Sequence, residues 1–126
     1  MKRTFLLLFA SGALAQTIFV ERFFKAKIDW AALSATGQTP SVDVSTVAPV
    51  RHTLSGTITG SPTTCTLKLE GSLDNTTWFD LSGSQSCTAN FMFHVVDRHV
   101  DSVRVNLTAL SGGTSPTVTL KYMGKP

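Results

Sequence analysis

The stretch from Cys65 to Leu81 limits the folding options of this chain most sharply. Cys65, Leu67 and Leu69 alternate with Thr66, Lys68 and Glu70, the period of two expected of a strand with one buried and one wet face. Gly71 to Thr77 is turn chemistry, because Gly supplies positive φ and Asp74 and Asn75 close local side-chain bonds to the backbone. Trp78 and Leu81 then bring apolar bulk to a returning strand. A strand, a tight turn and a second strand follow from these residues alone.

The same texture recurs along the chain. Leu54 and Ile58 share one parity with Gly56 between them, which marks a bulge or a close approach. Cys87, Ala89, Phe91 and Phe93 share another. Val103, Val105 and Leu107 face in while Arg104, Asn106 and Thr108 face out, and the loop Ser111-Gly-Gly-Thr-Ser-Pro116 reads as a hairpin leading to Val118, Leu120 and Tyr122. Phe24, Ala26, Ile28 and Trp30 alternate as well, so residues 23 to 30 are read as a strand in preference to an amphipathic helix over 18 to 33. About eight strands separated by turns predict an all-β fold, an antiparallel β-sandwich of jelly-roll or Ig-like type. The expected core is Leu54, Ile58, Leu67, Leu69, Trp78, Phe91, Phe93, Val103, Val105, Leu107, Val118 and Leu120.

A chain of 126 residues with 42% hydrophobic and 15% charged residues fits one folded domain and lies outside the disordered class. Lys2-Arg3, the apolar run from Thr4 to Leu14 and Ala13-Leu-Ala15 have the pattern of a signal peptide. The rival readings are an apolar N-terminal arm that stays on the protein and a first strand. The run is too short for a membrane span. Residues 16–40 are then an N-terminal extension and 41–126 the sandwich domain. Without Lys2 and Arg3 the eleven basic residues become nine against eight acidic ones, and the net charge of +3 falls to +1. The remaining Lys and Arg are scattered, so no nucleic-acid partner is expected.

Cys65 and Cys87 both sit on the inward parity, 22 positions apart. They form a disulfide if the compartment is oxidising, and otherwise two buried thiols. His94-Val-Val-Asp-Arg-His99-Val-Asp101 is the densest polar group, and its spacing fits a turn held by local hydrogen bonds better than a catalytic set. No nucleophile elbow, phosphate loop or HExxH motif is present. The expectation is a non-enzyme with no cofactor and no metal. Glu70, Asp74 and Asp80 offer oxygens to calcium, but Asp74 is better used as a turn cap. Asn75-Thr-Thr77 and Asn106-Leu-Thr108 fit the N-glycosylation pattern. Trp30, Trp78, Phe79 and Tyr122 are the aromatics available to stack on a sugar. Trp78 is assigned to the core, which leaves Phe79 on the opposite face. The candidate interaction residues are therefore Asp74, Asn75 and Phe79.

Leu69-Glu-Gly-Ser-Leu-Asp74 with Trp78, followed by Val100 to Leu107 with Arg104, resembles two groups of proteins. One is the small β-sandwich structural and decoration proteins of tailed bacteriophages, in which Val103-Arg-Val-Asn-Leu-Thr-Ala-Leu-Ser-Gly-Gly113 also looks at home. The other is the discoidin-like, or F5/8 type C, galactose-binding-like domains, whose paired terminal cysteines are not matched by the internal Cys65 and Cys87. The first resemblance implies a virion structural protein, a capsid decoration or tail component whose partners are other structural subunits in an oligomeric assembly. The second implies a secreted carbohydrate-binding or adhesion module with a glycan ligand.

Overall fold

In the computed structural model, Thr4–Ser11 and Leu14–Glu21 are described as paired backbone and residues 25–126 in full. The signal-peptide and arm readings of residues 1–15 concern processing and side chains, which lie outside the described residues. Every regular element described is a strand. In chain order they are β1 (Thr4–Ser11), β2 (Leu14–Glu21), β3 (Lys25–Trp30), β4 (Gly37–Gln38), β5 (Val42–Asp43), β6 (Arg51–Thr59), β7 (Thr64–Ser72), β8 (Phe79–Asp80), β9 (Gln85–Ser86), β10 (Phe91–Val95), β11 (Ser102–Ser111) and β12 (Thr117–Lys125). Eight of them have five residues or more.

They form two antiparallel sheets. The first has the order β1-β2-β3-β12-β6-β10; in the second, β11 and β7 lie side by side, flanked by β4 and β5 on one side and by β8 and β9 on the other. Residues 25–40, set apart above as an extension, thus supply β3 between β2 and β12 and β4 on the edge of β11. From β3 onward the chain crosses from one sheet to the other at each long strand. Each strand has one apolar row, and crossing places successive rows opposite one another instead of side by side. Ala26, Ile28, Trp30, Leu54, Val118, Leu120 and Tyr122 from the first sheet meet Cys65, Leu67, Leu69, Val103, Val105 and Leu107 from the second in one buried cluster.

Three expectations need correction. Ser111–Pro116 does not close a hairpin, because β11 pairs with β7, β4 and β5 whereas β12 pairs with β3 and β6. The loop is a corner between sheets, bonded to the other corner at residues 60–63 by Thr114 N–H to Gly60 O (2.8 Å) and Thr63 N–H to Ser111 O (3.0 Å). Gly60 (φ 82°) and Gly113 (φ 66°) touch there so closely that a Cβ on Gly113 would overlap the Gly60 carbonyl. Trp78 is not in the core either. Its parity is that of Asp80, which pairs with Glu70 on the outer face, and Leu81 takes the inner place with its N–H bonded to Leu69 O at 2.8 Å. Ala89, finally, is exposed, since the inward row of β10 starts only at Phe91. Ile58, Phe91 and Phe93 pack partly buried against the core. Gly56 is a close approach: the Phe91 ring of β10 lies where its Cβ would be.

Cys65 and Cys87 form a disulfide with Cα atoms 4.8 Å apart, tying the start of β7 to the segment after β9. The Cys65→Ala/Cys87→Ala pair should lower stability by about 3 kcal/mol, the loop-closure value for this separation, in urea melts. The two tryptophans separate in the same assay. Trp30 is 3% exposed, and Trp30→Ala should cost about 3–5 kcal/mol. Trp78→Ala, which removes only a half-buried ring, should cost about 1 kcal/mol.

Candidate interaction site

The turn between β7 and β8 is built by two side chains. Ser72 Oγ accepts the N–H groups of Asp74 (3.2 Å) and Asn75 (2.9 Å) and donates to Asp74 Oδ1 (2.9 Å). The same Oδ1 accepts from Thr77 N–H (2.8 Å) and Thr76 N–H (2.9 Å). Those amides of Thr77 and Thr76, with the Ser72 hydroxyl, hold the Asp74 carboxyl down at about 2. Asn75 takes the left-handed conformation (φ 59°) at the tip. Asp74 is thus a cap, and its charge is spent on the turn. Glu70 and Asp80, weighed with it as calcium ligands, are engaged elsewhere: Asp80 Oδ1 accepts from Ser82 and Gly83 N–H, and Glu70 pairs with Arg104. No group of three or more His, Cys, Asp or Glu able to hold a metal occurs among the described residues.

Beside this turn is a groove of about 270 Å³ whose walls include Leu73, Phe79, Leu81, Arg98, His99 and Val100. Leu73 and Phe79 are each 63% exposed. Phe79 is on the inward parity, opposite Gly71, yet its side chain is exposed and lines the groove. Leu73 and Phe79 flank the capped turn that holds Asp74 and Asn75. The structure therefore places Asp74, Asn75 and Phe79 at one end of the sandwich, with Phe79 lining the groove and the other two on its rim turn.

The far wall depends on a residue the sequence did not single out. His52 on β6 is 1% exposed, with Nε2 2.7 Å from Arg98 O and Nδ1 2.6 Å from the Tyr122 hydroxyl. A carbonyl only accepts, so Nε2 carries the proton and Nδ1 accepts from the tyrosine. Arg98 N–H is bonded to Val50 O (3.2 Å), which fixes the 97–99 turn from both sides, with Asp97 at φ 62°. Burial lowers the His52 pKa and raises that of Tyr122. Tyr122 also packs 6.3 Å from Trp30, whose Nε1 donates to Pro40 O (3.1 Å). These two rings, considered above for stacking on sugars, are core residues with satisfied polar tips. His94 bonds Thr53 Oγ1 (2.9 Å) and His99 lies 3.4 Å from Asp101, so the dense polar segment 94–101 is split between a strand face and a turn.

A second polar array covers the outer face of β7 and β11. Arg104 donates from Nε to Glu70 Oε1 (2.8 Å), Asn106 Nδ2 reaches Glu70 Oε2 (3.4 Å), and Lys68 Nζ is 3.9 Å from it. The guanidinium lies over the Trp78 ring, 4.2 Å from its centre. Period-two alternation announced that Arg104 faces out, but only the register Arg104↔Glu70 brings the three together.

No protein-family model matches the chain, and no curated protein matches it in sequence. A solved structure shares its fold. The SPBc2 prophage-derived protein YomS superposes with a TM-score of 0.57 at 16% identity, over 79% of this chain and 91% of that one. A family 29 carbohydrate-binding module overlaps with a TM-score of 0.40 at 9% identity, over 98% of this chain and 77% of that one. Among the described residues no helix is long and apolar enough to cross a membrane.

Because the folded state keeps His52 neutral while the unfolded chain protonates it near 6.5, this group costs nothing above that pH. Below it the unfolded state takes up the extra proton and stability falls. Melting temperatures should therefore drop as the pH is lowered from neutrality toward about 5, and His52→Gln should flatten that slope while lowering the neutral-pH value.

Proposed function

We propose that this chain is a non-catalytic structural component of a virion, a capsid decoration or tail protein, acting as a surface interaction module. The observation that carries this reading is the exposure of Leu73 and Phe79 together on a rigid groove, since apolar side chains displayed this way mark contact surfaces. Both walls are held in place, by the Ser72–Asp74 cap on one side and the His52 bond to the 97–99 turn on the other. The phage setting is an analogy of fold with a prophage-derived protein. A disulfide persists in oxidising surroundings, which suits a released particle. The partners are other structural subunits of an oligomeric assembly. Particles purified from the source of this sequence should contain the chain. Leu73→Ser with Phe79→Asp should reduce its incorporation about tenfold or more with little change in melting temperature. Particles lacking the wild-type chain would sink the proposal.

A second reading, a secreted carbohydrate-binding or adhesion module, is favoured by the outer face of β7 and β11. Trp78, Arg104, Asn106 and Lys68 there combine an aromatic ring with charged and amide donors, a set that serves sugar recognition.

A further inference from the structure

We propose that the outer face of β7 and β11 is a subsite for a carboxylate-bearing saccharide, with Arg104 as the residue that reads the acid; this rests on the second reading above. The argument is an inventory of donors and acceptors. Glu70 is the acidic group at the centre of the array and is 7% exposed. Both of its oxygens are engaged, Oε1 by Arg104 and Oε2 by Asn106 and Lys68. It therefore has little accepting capacity left for a ligand.

Donors remain. Arg104 contacts Glu70 through Nε, and among the described residues its Nη1 and Nη2 make no hydrogen bond. Those two groups are the parallel pair that matches a carboxylate in bidentate fashion. They are held ready, because the guanidinium is fixed at one edge by Glu70 and on one face by the Trp78 ring. Lys68 stands one cross-strand step away, since it pairs with Asn106 while Glu70 pairs with Arg104. Asp80 of β8, paired with Glu70, brings the face to two cations and two carboxylates, so its distinguishing feature is the unengaged Nη pair of Arg104 and not a net charge. A sugar hydroxyl offers those two groups a single oxygen, whereas the carboxylate of an acidic sugar offers both oxygens at the spacing of the Nη pair. The half-buried indole of Trp78 supplies an apolar edge for the ring carbons.

The test uses the full chain with its disulfide intact, titrated by calorimetry and by amide NMR with tetragalacturonate as the acidic probe and cellotetraose as the neutral one. Tetragalacturonate should bind, shifting the Lys68, Arg104 and Asn106 amides and the Trp78 indole N–H. Arg104→Lys, which keeps the charge opposite Glu70 but removes the paired planar donors, should weaken it at least about tenfold, with the melting temperature checked in parallel. Because that variant tests one side chain, the wild-type shift map is an independent measure if the variant does not fold. Acidic binding mapped elsewhere, or unchanged by Arg104→Lys, overturns the proposal. Cellotetraose binding without tetragalacturonate binding overturns it while leaving the carbohydrate reading standing. No binding of either probe removes both.

Discussion

The opposition of two apolar rows across the sandwich is the constraint on which the rest of the molecule depends. Leu67, Leu69, Val103, Val105 and Leu107 on one sheet and Ile28, Leu54, Val118 and Leu120 on the other are all fully buried. Each such side chain contributes roughly 1.5–3 kcal/mol of transfer free energy. Because the chain changes sheets at each long strand, every crossing adds a contact between the layers. The corners at residues 60–63 and 111–116 are bonded to one another and bring β6 and β12, and β7 and β11, into register at one end.

The polar groups at the margins of this core explain why the opposite end is rigid. His52, Tyr122 and Trp30 each bury an aromatic ring and satisfy the polar atom at its tip, as buried polar groups require. The His52 bond carries that order outward to the 97–99 turn, and the Ser72–Asp74 cap does the same for the turn across the groove. Leu73 and Phe79 are thus exposed on a supported surface. On the outer face, the Glu70–Arg104–Trp78 stack orders side chains that a solvated sheet would leave free. Ordering them in advance lowers the entropy cost of any ligand they take.

Much of this was legible in particular residues. The alternation in 65–70 and 103–108 predicts which side chains face in, and of the two readings of Gly56, a bulge or a close approach, the Phe91 ring over it selects the second. The parities of Trp78 and Phe79 are the reverse of those read from the sequence: Phe79 is exposed although it lies on the inward parity, and Trp78 takes the outer one. Two adjacent aromatics on one strand must point to opposite faces, and local pattern alone does not say which face is the core. His52 escaped notice because nothing in its neighbours distinguishes a buried histidine from an exposed one. Its partners, Tyr122 and Arg98, lie 70 and 46 positions away.

The sequence by itself determined the strand character, the turn read as Gly71–Thr77, although Gly71 belongs to β7 and has no positive φ, and the inward row of most strands, because side-chain period and turn chemistry act over a few residues. Only the tertiary structure decided that 111–116 is a corner and not a hairpin, that Trp78 stacks under Arg104, and that Asp97–Val100 faces Leu73 and Phe79 across a groove. Those outcomes depend on which strands pair and which sheets oppose. The reason is that pairing is settled by the joint burial of rows distant in the chain, a quantity no local window contains.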